Sequence, residues 1–244
     1  MQKIFILAAL LIGTLSFASA QTLRDKINQV KNQTDNSGSG VKLSNEDVVA
    51  GLKEALTIGA RKSVDVASVT DGFYSNPLIF IPFPEEAATM KDRLEKMGLD
   101  KQVKDFEKSL NNAAEEAAKE AFTIFSSAIS GMTVNDGFAI LKGNDTAATH
   151  YLRTSTTPEL TQKFSPIVKK AIDKVNVTAY WTPLANSYNK IPGVKKQNPD
   201  LEAYVTSKAI DGLMLLISEK EKDIRTNTAA QVNDLLKKVF GGKN

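Results

Sequence analysis

YVTSKAIDGLMLLISEKEKDIR, residues 204–225, decides the fold because its middle is apolar on nearly every side. Ile210, Leu213, Met214, Leu215, Leu216 and Ile217 leave no solvent face over two helical turns, and a helix that is apolar all round has to be surrounded by other elements. The run is shorter than the roughly 20 apolar residues that span a bilayer, and charge flanks it closely. It predicts a buried central helix covered by helices from the rest of the chain.

After it, Asn227 is expected to cap a last helix carrying Val232, Leu235, Leu236, Val239 and Phe240, which Gly241 and Gly242 terminate. Before it, residues 176–199 hold the only tryptophan, Trp181, with Tyr180, Tyr188 and prolines at 183, 192 and 199. A helix over 182–188 and an irregular loop over 191–199 are expected there. Thr157-Pro158 reads as a cap followed by a first-turn proline, opening a helix through Phe164, Ile167, Val168, Ile172 and Val175. Thr133 caps a short helix over 133–141 with Asp136 as its box partner, and a further one begins at 144 with Asp145 or Asn144 as cap. Residues 100–130 read as one long helix, whose alanines at 113, 114 and 117 allow the central helix to pack closely along it. Residues 85–97 form a shorter helix stopped by Gly98. Pro77, Pro82 and Pro84 bar residues 76–84 from a helix or a central strand, so this segment is expected as an extended strap with alternate apolar side chains tucked inward. The first ordered helix runs over 45–66, with a Ser44–Asp47 box and the stripe Val48, Val49, Leu52, Leu56, Ala60 and Val64. No internal repeat interrupts the pattern, which predicts an all-α, single multi-helix domain over residues 42–244.

The first 20 residues stand apart. Lys3 precedes an apolar run over 4–17, and Ala18-Ser19-Ala20 forms a cleavage site before Gln21, the pattern of a secretory signal peptide. Residues 21–41 are polar and end in NQTDNSGSG, a composition that cannot bury enough apolar surface to offset chain entropy. They read as a flexible leader with a short helix over 23–30. Loss of Lys3 takes the Lys and Arg count from 31 to 30 against 28 acidic residues, so the formal charge of +3 becomes +2. That near balance gives no footprint for nucleic acid. No second apolar run of membrane length follows the signal peptide. The chain has no cysteine, which removes disulfides, a thiolate nucleophile and a lipid-anchor cysteine. The expected location is therefore the periplasm, as a released protein, if the source is a Gram-negative bacterium.

Several stretches carry a family resemblance: LSNEDVVAGLKEAL at 43–56, DGFYSNPLIFIPFP at 71–84, LNNAAEEAA at 110–118, GNDTAATHYLR at 143–153, FSPIV at 164–168, YVTSKAIDGLMLLI at 204–217 and LLKKVFG at 235–241. Together, and in this order, they resemble a bacterial family known as domain of unknown function 4197. The resemblance implies an exported all-helical domain and supplies no catalytic residues. Many members look like lipoproteins, a point on which this cysteine-free chain departs.

His150 is the only histidine, so any Ser/His/Asp machinery or histidine–metal site would have to use it. A surface or half-buried helix position suits it better, and without cysteine a zinc site lacks most of its ligands. Neither a D-x-D-x-D-G calcium loop nor a G-x-x-x-x-G-K phosphate loop is present, and no cofactor or metal is implied. Lys208 and Asp211, three apart beside the all-apolar stretch, are expected to be buried and paired, as a network fixing helix register. Asn111 and Glu115, four apart on the alanine-rich helix, form a similar polar couple. Asp145, Thr146 and Thr149 at a helix start, with Arg153 one turn on and Asp71 opposite, are the candidate ligand-binding set: hydroxyl donors and a guanidinium at a helix N-terminus suit an anion.

The missing nucleophile and metal set favours a non-enzymatic module that binds an envelope partner or a small polar ligand. A carboxylate-dependent hydrolase acting on envelope sugars or peptides is the alternative from another class, and it requires two carboxylates meeting in a cleft. A structural envelope protein, with no pocket and an exposed apolar patch, is the third.

Overall fold

The computed structural model describes residues 44–96, 98, 100–174 and 200–227, together with scattered positions between 181 and 198. The expected signal peptide at 1–20, the expected leader at 21–41, most of the segment at 176–199 and the helix expected beyond Asn227 lie outside the described residues. Within them all regular secondary structure is helical: α1 Asn45–Ala67, a 3-10 turn Glu85–Ala87, α2 Ala88–Lys96, α3 Asp100–Ala118, α4 Ala121–Gly131, α5 Val134–Lys142, α6 Ala147–Lys174 and α7 Leu201–Thr226. Helix α7 is central, packing against α1, α3 and α6. Val205, Ala209, Leu213 and Met214 are wholly excluded from solvent.

Local chemistry sets the helix starts. Ser44 Oγ accepts from Asp47 N at 3.1 Å while Asp47 Oδ2 accepts from Ser44 N at 3.1 Å. Thr133 and Asp136 repeat that reciprocal box at the start of α5. Asp200 Oδ1 accepts from Ala203 N and caps α7. The α4–α5 junction bends by 103°, which turns α5 against α1 and α6.

Residues 71–83 are held by one buried stripe of α3. Glu107, Asn111 and Glu115, spaced four apart and therefore on one face, accept from backbone N–H groups that no helix or sheet uses. Glu115 takes Asp71 N, Phe73 N and Tyr74 N at 3.1 to 3.3 Å. Asn111 takes Ile81 N at 2.8 Å and returns a bond to Ile81 O at 2.9 Å. Glu107 takes Phe83 N at 3.2 Å and pairs with Lys91 at 2.9 Å. Pro82 and Pro84 alternate with these donors and have no N–H to leave unmet. Ile79, Ile81 and Phe83 are buried while Leu78 and Pro82 face solvent. Phe83 joins Phe106 and Trp181 in an aromatic cluster with ring centroids 5.0 to 5.7 Å apart. On the opposite side the segment meets α7 at Gly212, where a Cβ would lie 2.8 Å from Phe73 Cε1. Asp71 takes a left-handed φ of 59°, a conformation that aspartate tolerates better than most side chains.

A further buried carboxylate joins α5, α6 and α7. Glu221 on α7 accepts from Ala148 N at 2.9 Å and from Thr149 N and Oγ1, each at 2.8 Å, so it caps α6 from another helix. Arg225, one turn further, pairs with Glu221 at 2.9 Å and donates to Ile140 O at the end of α5. The ion-pair side chains are only 7% and 4% exposed.

Four expectations require correction. Residues 100–130 form two helices, because the chain turns at Lys119–Glu120, with Glu120 N reaching Ala117 O, so that α3 covers α6 and α7 while α4 covers α1. Neither residue is a helix breaker, and the apolar spacing reads through the turn. Thr157-Pro158 does not open a helix, since α6 runs through both Pro158 and Pro166. Leu152, Leu160, Phe164 and Val168, all wholly buried, form one stripe across the prolines, and packing that stripe outweighs a local defect of about 3 kcal/mol. Lys208 and Asp211 are exposed and do not pair with each other; Asp211 instead meets Arg153 of α6 at 2.6 Å. Finally, Leu215 on the same side is 40% exposed, so α7 keeps a narrow solvent face along 208, 211 and 215, the spacing of one helical face.

Three outcomes follow from these contacts. Asn111→Ala should destabilise the fold by about 2 to 4 kcal/mol, because it strands both Ile81 backbone groups; chemical denaturation showing a loss under about 1 kcal/mol would contradict the arrangement. Arg225→Ala should cost about 3 to 5 kcal/mol by leaving Glu221 buried beside no guanidinium, whereas Asp211→Ala should cost under about 1 kcal/mol, as expected of a half-exposed pair. Equal losses would refute the contrast. Burial raises the Glu115 carboxyl above its ordinary 4.5, and its three backbone N–H bonds oppose that shift. A raised folded value means that the stability it links to protonation is fully present below 4.5 and lost as pH rises through the folded value. Wild type should therefore gain stability relative to Glu115→Gln as pH is lowered from 7 towards 4.5, and a flat or inverted difference in denaturation midpoints would rule this out.

A polar cleft between α6 and α7

Helix α6 carries Arg153, Thr157, Thr161 and Ser165 at successive intervals of four, which places all four on one face. That face meets the N-terminal half of α7, and the two enclose a cleft of about 310 Å³ whose α7 wall includes Asp200, Glu202, Thr206, Ser207 and Asp211. The helices are fixed to each other beneath it by the buried α6 stripe, at one end by the Arg153–Asp211 pair, 44% and 52% exposed, and at the other by a hydrogen bond from Ser165 Oγ to the Glu202 carboxylate.

The hydroxyls of this region differ in their commitments. Thr154, Ser155, Thr156 and Thr157 each donate to the carbonyl four residues back, at 2.6 to 2.9 Å, as do Thr57, Ser63 and Thr226 on other helices. Thr206 does not. It is 3% exposed, lines the cleft, and its Oγ1 has no hydrogen-bond partner among the described residues. Native structures rarely leave a buried hydroxyl unsatisfied, because doing so costs about 1 to 3 kcal/mol.

The set expected at residues 145–153 is only partly assembled. Thr146, Thr149 and Arg153 line an open concavity of about 420 Å³ with His150, Asp211 and Leu215. Asp145 is exposed and is not in its lining, and the capping role expected there is shared differently: Asn144 Oδ1 accepts from Thr146 N and Oγ1, while Glu221 serves Ala148 and Thr149. The Thr149 hydroxyl is thus committed to a structural carboxylate. Asp71 lies against α3, where it faces Lys108 at 3.3 Å, and is not opposite these residues. Asn111 and Glu115 are buried but serve the 71–81 backbone separately. Arg153 is the residue common to the expected set and the α6–α7 cleft.

Thr157, Thr161, Ser165, Asp200, Glu202, Thr206 and Ser207 were not singled out by sequence reasoning. The four-residue period from Arg153 to Ser165 was a readable signal, obscured when Thr157 was assigned to a helix cap. Among the described residues no three His, Cys, Asp or Glu side chains gather closely enough to hold a metal ion.

No curated protein and no solved structure shows a significant match to the chain. The family of proteins of unknown function DUF4197 matches it over residues 42–241, the span of every described helix and of the α6–α7 cleft. The chain therefore belongs to the DUF4197 family.

Proposed function

We propose that the protein is an exported periplasmic module that binds a small polar ligand, without catalysis, in the cleft between α6 and α7. The observation that carries this reading is Thr206: a buried hydroxyl without a partner, in the wall of a cleft otherwise lined by polar side chains. A ligand able to bond it would supply what the fold leaves unmet. Export rests on the sequence of residues 1–20, with Lys3, the apolar run and Ala18-Ser19-Ala20 before Gln21. The near-neutral net charge accords with a partner other than nucleic acid.

Asp200, Glu202 and Asp211 border the same cleft, and on that observation a carboxylate-dependent hydrolase is the second reading. Turnover of an envelope glycoside or peptide, abolished by Glu202→Gln, would move the protein to that class.

The binding reading has a signature that a purely structural threonine lacks. Thr206→Val keeps the shape and removes the unmet hydroxyl, so it should raise stability by about 1 kcal/mol while abolishing the thermal shift given by any small polar molecule that stabilises the wild type. The measurement is a melting-temperature screen of both proteins against a metabolite library, with denaturation curves for each. A destabilised Thr206→Val variant, or one that retains the wild-type ligand response, would refute the cleft as the site.

A further inference from the structure

We infer that the α6–α7 cleft selects a small molecule bearing a primary ammonium group; this deepens the binding reading above and rests on it. The cleft is built of acceptors. Three carboxylates stand against a single guanidinium in its lining, a formal charge of −2, and that guanidinium already meets Asp211 at 2.6 Å. Two of its hydroxyl protons are also spent elsewhere. Thr157 donates to Arg153 O at 2.6 Å and Ser165 donates to Glu202, so each offers the cleft only oxygen lone pairs. Asp200 uses Oδ1 as the cap of α7, and its second oxygen has no bond among the described residues.

Glu202 and Thr206 are four apart on α7 and so are neighbours on one face. A carboxylate beside an unmet buried hydroxyl, with Asp200 at the N-cap two residues before Glu202, forms a corner that calls for a compact group with several N–H donors. An ammonium has three donors and no acceptor. A carboxylate or phosphate would meet like charge there. The start of α7 opposes a cation with about half a positive charge, which the two carboxylates outweigh. A metal ion fits less well, because the acidic residues are strung along the helix: Glu202 and Asp211 are separated by nine residues, an axial rise of roughly 13 Å. The volume of about 310 Å³ is that of a small-molecule site.

Three probes with one four-carbon chain test the inference: 1,4-diaminobutane, 1,4-butanediol and succinate, titrated calorimetrically into the full protein at low salt. The diamine should bind at least tenfold more tightly than the diol or the diacid. Its affinity should fall at least tenfold in Glu202→Gln and as salt is raised, and stay within twofold in Asp105→Asn, a carboxylate of equal charge on α3 outside the cleft. N-acetyl-lysine amide, titrated alongside, separates a free amine from a protein-borne lysine, and tighter binding of it would overturn the small-amine source. Diol or diacid binding that is equal or tighter, and lost in Thr206→Val, would leave the cleft as the site but overturn the ammonium selectivity. No binding by the diamine, or diamine binding unaffected by Glu202→Gln, overturns the inference, and a Thr206→Val variant that also retains every ligand response removes the site itself.

Discussion

Backbone N–H groups that can join neither a helix nor a sheet must find acceptors, and this fold supplies them from side chains on one face of α3. Residues 71–84 contain three prolines, so no regular ladder can form there, yet Phe73, Ile79 and Ile81 are buried, the first two against Gly212 of α7. Burying apolar side chains drags their peptide groups out of water with them. Glu107, Asn111 and Glu115 resolve that conflict one turn at a time, and the helix that carries them must then lie beside α7. The placement of α3, the close approach at Gly212 and the aromatic cluster around Phe83 all depend on those acceptors.

Glu221 solves the same problem at the other end of the core. The first turn of α6 has free N–H groups, and the residues before it leave only Asn144 as a local cap, which is used on Thr146. A carboxylate arriving from α7 meets the N–H groups of Ala148 and Thr149, and Arg225 neutralises it while reaching the Ile140 carbonyl near the end of α5. One ion pair thus settles a helix start, a helix end and the position of α7 between them. Its burial is tolerable because nearly every lone pair has a donor.

The parts of this architecture written in local pattern were legible in the sequence. The capping boxes at Ser44 and Thr133, the buried central helix and the all-helical class all follow from spacing that short segments carry by themselves. What was hidden depends on partners distant in the chain. Lys208 and Asp211 looked buried because five consecutive apolar residues, 213–217, follow closely after them, but three neighbouring helices cover only part of the α7 circumference, and the side at 208, 211 and 215 stays open. The turn at Lys119–Glu120 has no glycine or proline to mark it. Thr149 seemed to have an idle hydroxyl because Glu221, its acceptor, lies 72 residues away. The cleft was missed for the reverse reason: a true local signal, the period from Arg153 to Ser165, was attributed to a helix start that packing overrode.

Glu221 and Thr206 stand on the same helix, both buried, with opposite accounts of their polar atoms. The glutamate meets donors from two helices; the threonine meets none among the described residues, although a rotation of its side chain towards the carbonyl four residues back is the ordinary solution adopted at seven other helical Ser and Thr positions. A fold that satisfies seven backbone donors with four buried side chains has the means to satisfy one hydroxyl. An unmet group in the wall of an acceptor-rich cleft is therefore better explained by something that enters the cleft than by imperfect packing. Because a hydroxyl both donates and accepts, Thr206 can accept from an ammonium without disturbing the Glu202–Ser165 bond beside it. The stability forgone at this position and the specificity proposed for the cleft are two aspects of one arrangement.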